Sequence, residues 1–102
     1  MSTLHTVNKS PFETSTLKSC LEHVSDGDTI LLIEDGVYGA MAGSSMADLV
    51  TAKTKAVSII ALAPDMQARG IDEDRLIKGI NTTDYAGFVD LAAKNDLSHA
   101  WL

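Results

Sequence analysis

Two stretches of the chain are apolar at almost every position and have the length of β-strands. They are residues 29–33, TILLI, and residues 56–63, AVSIIALA. A run that is apolar on both faces is typical of an interior strand of a parallel sheet. Weaker patterns predict further strands at residues 3–7 and in the closing LSHAWL, with a short extended piece near Ile80.

Helical patterns separate these strands. Ser10, Pro11 and Glu13 form a helix start, because serine can cap, proline suits the first helical position and glutamate can complete a capping box. The pattern predicts a helix over residues 11–25, and Gly27 is its natural stop. A second helix is predicted in TDYAGFVDLAAKN, where apolar residues follow helical spacing at Tyr85, Phe88, Val89 and Ala92.

Three connections are less regular. Residues 34–41, EDGVYGAM, can form a hairpin turn at Asp35-Gly36 or a short helix that begins near Val37, and we favour the helix. The segment MADLVTAKTKA predicts a helix or an irregular connection. Pro64 ends the second interior strand, and the polar stretch that follows is rich in turns, with room for one helical turn.

The alternation of strands and helices predicts an α/β fold. We expect a small Rossmann-like fold with a mostly parallel sheet and helices on both faces. A chain of 102 residues that is 45% apolar suits one compact domain, residues 1–102. Aromatic residues are only 5% of the chain, so the core should be aliphatic, and a partner subunit can complete part of it.

The charge balance limits the classes of partner. Eight Lys and Arg residues against fourteen Asp and Glu residues give a net charge of −6, which disfavours direct binding to nucleic acid or to an anionic membrane. No basic segment is followed by a long apolar run at the start of the chain, and no apolar run reaches membrane-spanning length. We therefore expect a cytoplasmic location, and the single cysteine suits a reducing compartment.

The glycines near the first interior strand do not form a nucleotide-binding motif. Gly36, Gly39 and Gly43 lack the G-x-G-x-x-G spacing, and no G-K-[ST] follows them. Glu34 and Asp35 would also place negative charge where a phosphate should bind. We interpret these glycines as turn and close-packing residues and predict no cofactor.

The three histidines carry no metal-binding pattern along the sequence. His5, His23 and His99 are far apart, with no i, i+4 pair and no nearby carboxylate in a ligand pattern. The spacing therefore predicts no metal site, and it favours surface or strand-end positions for each histidine.

Cys20 is the only thiol and the one candidate for chemistry. At about 100° per residue, Leu17, Leu21 and Val24 fall within an arc of roughly 60°, which defines the buried stripe of the first helix. Cys20 lies roughly 65° from the centre of that arc, on the shoulder of the buried face. A packed, inert thiol fits this position. So does a working thiol, because His23 at i+3 could approach the sulfur and favour the thiolate.

Several segments together resemble the DsrH/TusB family. They are LHTVNKSPFE, ILLIEDGVYGA, IIALAPDMQARGI and DYAGFVDLAAKNDLSHAWL. The resemblance covers nearly the whole chain in the family's order, including the DG turn after an apolar strand, the ARG after the next strand and the terminal tryptophan. It is therefore more specific than any single motif.

The resemblance implies a subunit of a cytoplasmic sulfur-relay complex. Such a complex is a heterohexamer with DsrE/TusD-like and DsrF/TusC-like subunits, and it passes persulfide sulfur to a DsrC/TusE-like carrier protein. The main active cysteine is expected in the DsrE/TusD-like subunit. TusB-type members serve thiolation of the tRNA wobble uridine, and DsrH-type members serve oxidation of stored sulfur. DsrH-type members can carry a cysteine on the first helix, a place that Cys20 matches, so we favour that branch.

Three hypotheses remain open from the sequence. Cys20 accepts or hands on a persulfide sulfur, a step that needs a thiolate and neither metal nor nucleotide. Alternatively, the chain is an assembly subunit with no chemistry of its own, and Cys20 is packing. A third interpretation is an independent α/β domain that binds a small ligand at the strand ends near residues 34–39.

Overall fold

A computed structural model describes residues 1–102 and contains one five-stranded sheet. The strands are β1 (Thr3–Val7), β2 (Thr29–Leu32), β3 (Ser58–Leu62), β4 (Asn81–Thr83) and β5 (Leu97–Trp101). They lie in the order β4-β3-β2-β1-β5, and every neighbouring pair is parallel. The predicted strands are confirmed, including the short one after Ile80.

Four α-helices and two 3₁₀ helices connect the strands. The α-helices are α1 (Thr16–His23), α2 (Ala47–Lys53), α3 (Ala63–Ala68) and α4 (Tyr85–Lys94), and the 3₁₀ helices are Glu34–Ala40 and Glu73–Arg75. The strands β1 to β4 follow one another across the sheet, so right-handed connections place α1, α2 and α3 on one face. The return from β4 to β5 takes α4 to the other face. The predicted α/β fold is confirmed.

The main core lies between the sheet and helices α1, α2 and α3. The sheet contributes Val7, Ile30, Leu32, Ile59 and Ala61, and the helices contribute Leu17, Cys20, Leu21, Val50 and Met66. Leu4, Leu31 and Leu62 alternate with these strand residues and are also buried, on the face that α4 covers. Burial on both faces explains why β2 and β3 read as continuous apolar runs.

The first helix begins later than predicted. Residues 11–13 form a turn, and α1 starts at Thr16. Ser10 does act as a local cap, because its Oγ accepts a hydrogen bond from the Phe12 N–H at 3.2 Å, but it caps only this turn. Thr14 interrupts the helix, since its Oγ1 accepts from the Thr16 N–H and donates to the Thr16 hydroxyl. The predicted helix over 11–25 is therefore wrong at its amino end.

The prediction that residues 34–41 favour a helix is confirmed. The helix is a 3₁₀ helix, and it starts three residues before Val37. Its glycines allow close approach. A Cβ on Gly36 would overlap the Val7 carbonyl, and one on Gly39 would overlap Leu17 Cδ2. The interpretation of these two glycines as packing residues is confirmed.

Helix α4 is more exposed than its apolar pattern indicates. Phe88 and Leu91 are half-buried toward the sheet, whereas Tyr85 and Val89, one turn apart, are 59% and 68% exposed. The sequence predicted the helix correctly, but only part of its apolar stripe is covered. No helix in the structure combines the length and the apolar character needed to cross a bilayer.

Candidate functional site

The fold brings all three histidines together with the only tryptophan. We call His5, His23, His99 and Trp101 the His–Trp cluster. The three imidazole rings form a triangle, with centroid distances of 6.2 Å (His5 to His23), 5.7 Å (His5 to His99) and 6.0 Å (His23 to His99). The Trp101 indole stacks on the His99 ring at 4.5 Å and 11°. The prediction of a surface or strand-end position is wrong for His5, which is 2% exposed.

Strand pairing explains how residues so distant in sequence meet. β1 and β5 are parallel neighbours, with His5 opposite His99 and Val7 opposite Trp101. Residues two apart on a strand share a face, so His99 and Trp101 lie on the same side of β5. His23 comes from the last turn of α1, which packs on that side. The sequence does show the alternation H-x-W in β5, but only the return of the chain through α4 places it beside β1.

Hydrogen bonds fix the protonation of His5. Its Nδ1 lies 3.1 Å from Trp101 Nε1, and its Nε2 lies 2.9 Å from Asp28 Oδ2. The indole N–H can only donate, so Nδ1 accepts and the imidazole proton resides on Nε2, which donates to the carboxylate. We assign His5 as the neutral Nε2–H form, a link between Asp28 and Trp101.

Asp28 is a buried carboxylate with three donors. Its Oδ2 also accepts from the Ser25 N–H at 3.0 Å, and its Oδ1 accepts from the Thr3 N–H at 3.1 Å. Burial alone would raise its pKa, but the hydrogen bonds from His5, Ser25 and Thr3 outweigh burial and hold the pKa below the ordinary value of 3.8. Asp28 is therefore ionised at neutral pH and joins three segments of the chain.

A cleft of about 360 Å³ opens beside the cluster. The three histidines and Asp28 line it, together with Ser25 and Ser98. No group of three or more His, Cys, Asp or Glu side chains is arranged to hold a metal ion. The cleft is polar, and it lies next to the exposed edge of β5.

Cys20 lies in the main core and is fully buried. Leu17 and Leu21, on the same side of α1, are buried with it, so the sulfur lies within the buried stripe and not merely on its shoulder. Burial, with a further contribution from the negative charge of Asp28, raises the pKa of the thiol from 9.0 to about 12. In the isolated chain Cys20 is a protonated, covered thiol.

Because the pKa of Cys20 is raised, we expect this thiol to lower the free energy of unfolding at alkaline pH. The unfolded chain gives up the thiol proton near pH 9.0 and the folded chain near pH 12, so the contribution is complete below pH 9 and is lost between these values. We expect wild type to lose about 2 kcal/mol from this group between pH 7.5 and 10.5. Urea unfolding of wild type and Cys20→Ala at both pH values measures it. Equal losses in the two proteins would contradict the prediction.

The strand ends near residues 34–39 are occupied by contacts within the chain. Glu34 has a positive φ of 49°, and its N–H donates to Asp65 Oδ2 at 2.6 Å. Asp35 forms an ion pair with Arg69 at 2.9 Å. The Asp35 carboxylate and the Glu34 backbone N–H thus attach the 3₁₀ helix to α3.

The chain is similar to a known protein family and to curated proteins over nearly its whole length. A family profile described as "DsrH like protein" matches residues 9–98. Protein TusB from Pectobacterium parmentieri is 35% identical over 98 residues, which cover 96% of this chain and 99% of the relative. Protein TusB from Enterobacter sp. (strain 638) is 33% identical, and that from Escherichia coli O81 (strain ED1a) is 35% identical, each with the same coverage.

Solved structures show the same fold. The crystal structure of the ychN protein from E. coli matches with a TM-score of 0.83 and 16% identity, covering 98% of this chain and 99% of that one. The solution structure of Tm0979 from Thermotoga maritima matches with a TM-score of 0.66 and 23% identity, covering 89% and 91%. At such identities these matches support the fold alone, whereas the family profile and the curated relatives show that the chain belongs to the DsrH/TusB family.

Proposed function

We propose that this chain is a subunit of a sulfur-relay complex and that Cys20 carries persulfide sulfur within that complex. Membership of the DsrH/TusB family supports the relay. The proposed role of Cys20 rests on one observation. Cys20 is the only thiol of the chain, and it lies on α1, the short first helix. No other group of the chain can accept sulfane sulfur.

The transfer is a thiol–persulfide exchange. The Cys20 thiolate attacks the outer sulfur of a donor persulfide, a new S–S bond forms at Cys20, and the donor leaves as a thiolate that takes up the proton released by Cys20. The step is neutral in electrons, since one S–S bond replaces another. It needs a deprotonated, accessible Cys20 and no metal or nucleotide.

The isolated chain does not meet that requirement, because burial keeps the thiol protonated and covered. We therefore assign the activity to the assembled complex. We infer that a partner displaces helix α1, which spans eight residues and whose N-cap residue, Ser15, makes no side-chain capping bond. This displacement gives up the burial of Leu17 and Leu21, so contacts with the partner must offset that loss.

Membership of the DsrH/TusB family implies that this chain associates with DsrE/TusD-like and DsrF/TusC-like subunits. We infer a cytoplasmic heterohexamer that serves a DsrC/TusE-like carrier, with the main active cysteine in the DsrE/TusD-like subunit. The exposed apolar residues Tyr85 and Val89 on α4, and Leu97 on the edge strand β5, support a surface that partners cover.

Two pathways compete for this relay. Cys20 on the first helix favours oxidation of intracellular stored sulfur, the branch of the DsrH-type members. The name TusB of relatives at 33–35% identity favours 2-thiolation of the tRNA wobble uridine. We propose sulfur oxidation first, because the cysteine is a chemical feature of this chain. Loss of 2-thiouridine from tRNA after deletion of the gene would decide for the second pathway.

Sulfur loading of the purified complex tests the role of Cys20. We expect mass spectrometry of the loaded complex to find one added sulfur atom, 32 Da, on the Cys20 peptide, and Cys20→Ser to remove it and to slow transfer to the carrier at least tenfold. The separately purified chain should take up no sulfur under the same conditions, because its thiol is buried.

Ser45→Ala, an exposed hydroxyl outside α1, is the matched control and should leave loading unchanged. If Cys20→Ser assembles normally and transfers sulfur at the wild-type rate, Cys20 is packing and the chain is an assembly subunit. In that case deletion of the chain, and not substitution of Cys20, should dissolve the complex.

A further inference from the structure

We propose that His23 and His99 form a binding site for a divalent transition-metal ion of the Zn²⁺, Ni²⁺ and Cu²⁺ class. The site does not depend on the sulfur-relay function and does not involve Cys20. It revises the expectation, based on spacing along the sequence, that the chain has no metal site.

The separation of the two rings fits a shared ion. Imidazole nitrogens bind Zn²⁺ at about 2.0–2.1 Å, so two rings on one ion have centroids roughly 5 to 6.4 Å apart. The rings of His23 and His99 are 6.0 Å apart and inclined at 80°, toward the wide end of that range, so a small rotation of the exposed His23 side chain brings the two ligand nitrogens to a tetrahedral angle. Both residues are exposed, and neither ring is engaged in a hydrogen bond with the protein.

His5 lies as close to both rings but cannot be a ligand. Its Nδ1 accepts from Trp101 and its Nε2 donates to Asp28, so no nitrogen lone pair is free. It acts instead as a positioning residue. It holds the Trp101 indole, and the indole stacks on His99 at 4.5 Å, so the orientation of one ligand is fixed before an ion binds.

The surroundings favour a cation. The cleft contains the buried carboxylate of Asp28, and the chain carries a net charge of −6, both of which attract cations. Imidazole is a ligand that suits Zn²⁺, Cu²⁺ and Ni²⁺ and not Mg²⁺ or Ca²⁺. Because no third His, Cys, Asp or Glu completes the set, water fills the other coordination positions. We expect a site of modest affinity.

The fluorescence of Trp101 can report binding of the ion, because Trp101 is the only tryptophan. Its ring centroid lies 5.4 Å from that of His23 and 4.5 Å from that of His99. Titration with Cu²⁺ at pH 7.5 should quench its fluorescence in a saturable way. His23→Gln and His99→Gln should each weaken the apparent affinity at least tenfold, and Zn²⁺ should compete with Cu²⁺ for the wild-type protein. Electron paramagnetic resonance of the Cu²⁺ complex should show coupling to imidazole nitrogen.

Asp26→Ala, an exposed carboxylate near His23 in sequence, is the control for nonspecific binding and should quench as wild type does. Circular dichroism and urea midpoints confirm that the histidine variants remain folded. Quenching that is unchanged in either histidine variant would place the ion elsewhere and overturn the proposal. The absence of saturable quenching in wild type up to 1 mM Cu²⁺, which exceeds the dissociation constants of modest sites, would overturn it as well.

Discussion

Asp28→Ala is expected to destabilise the fold by about 3–5 kcal/mol, because three donors lose their acceptor, and this is a large part of the stability of a domain of this size. The carboxylate is 5% exposed and accepts hydrogen bonds from His5, Ser25 and Thr3. Its removal leaves a buried imidazole N–H and two backbone N–H groups without their acceptor. Urea unfolding at pH 7 measures the loss. Without Asp28, His5 is no longer held in place for its hydrogen bond with Trp101, so the fluorescence emission of Trp101 should also shift.

The pH dependence provides an internal check. Because the pKa of Asp28 is held below 3.8 in the folded state, its contribution is present above that value and is lost as the pH falls through the folded pKa. The difference between wild type and Asp28→Ala should therefore narrow below pH 4. Asp26→Ala, two residues away and exposed, should change stability by no more than about 0.5 kcal/mol. Similar losses in the two variants would show that the buried network contributes little.

Most of the fold follows from local pattern. The runs 29–33 and 56–63 are apolar on both faces, and a strand with that property must be covered on both sides, so a parallel sheet between helices is the one simple solution. The error at the start of α1 has a local cause as well. Ser10, Pro11 and Glu13 make a good helix start, but the hydroxyl of Thr14 bonds to the backbone two residues on and delays the helix.

The candidate site could not be predicted in the same way. His5 and His99 are direct neighbours across two strands that lie 94 positions apart in the chain, and no local pattern says that the last strand returns beside the first. Cys20 differs again. Helical geometry located its side of α1, but the depth of its burial depends on the sheet beneath the helix, and its raised pKa depends also on Asp28 in the turn that follows.

Asp28 links the His–Trp cluster to Cys20. It accepts the Nε2–H of His5, and its charge adds to the burial that raises the pKa of Cys20. Any partner that moves α1 away from the sheet both exposes the thiol and separates it from this charge. Under the proposed function, uncovering and ionisation of Cys20 are therefore coupled, so we expect the isolated subunit to resist oxidation of this thiol and the assembled one to expose it.

Gly36→Ala is expected to destabilise the fold by about 3 kcal/mol or more, through backbone overlap rather than through loss of a contact. An added Cβ would overlap the Val7 carbonyl oxygen and lie 2.9 Å from its carbonyl carbon. That oxygen accepts the Ile33 N–H at 3.0 Å, so relief of the overlap costs a hydrogen bond between β1 and the segment after β2.

Gly27→Ala is the control that separates the cost of steric overlap from the cost of a left-handed backbone. Gly27 has a φ of +89° but nothing within 4 Å of an added Cβ, so only the left-handed backbone is penalised, at about 1–2 kcal/mol. Urea unfolding of both variants compares the two costs. If Gly36→Ala loses no more free energy of unfolding than Gly27→Ala does, the backbone at the end of β1 can shift at low cost. The position of the 3₁₀ helix would then depend on its ion pair between Asp35 and Arg69 more than on close backbone packing.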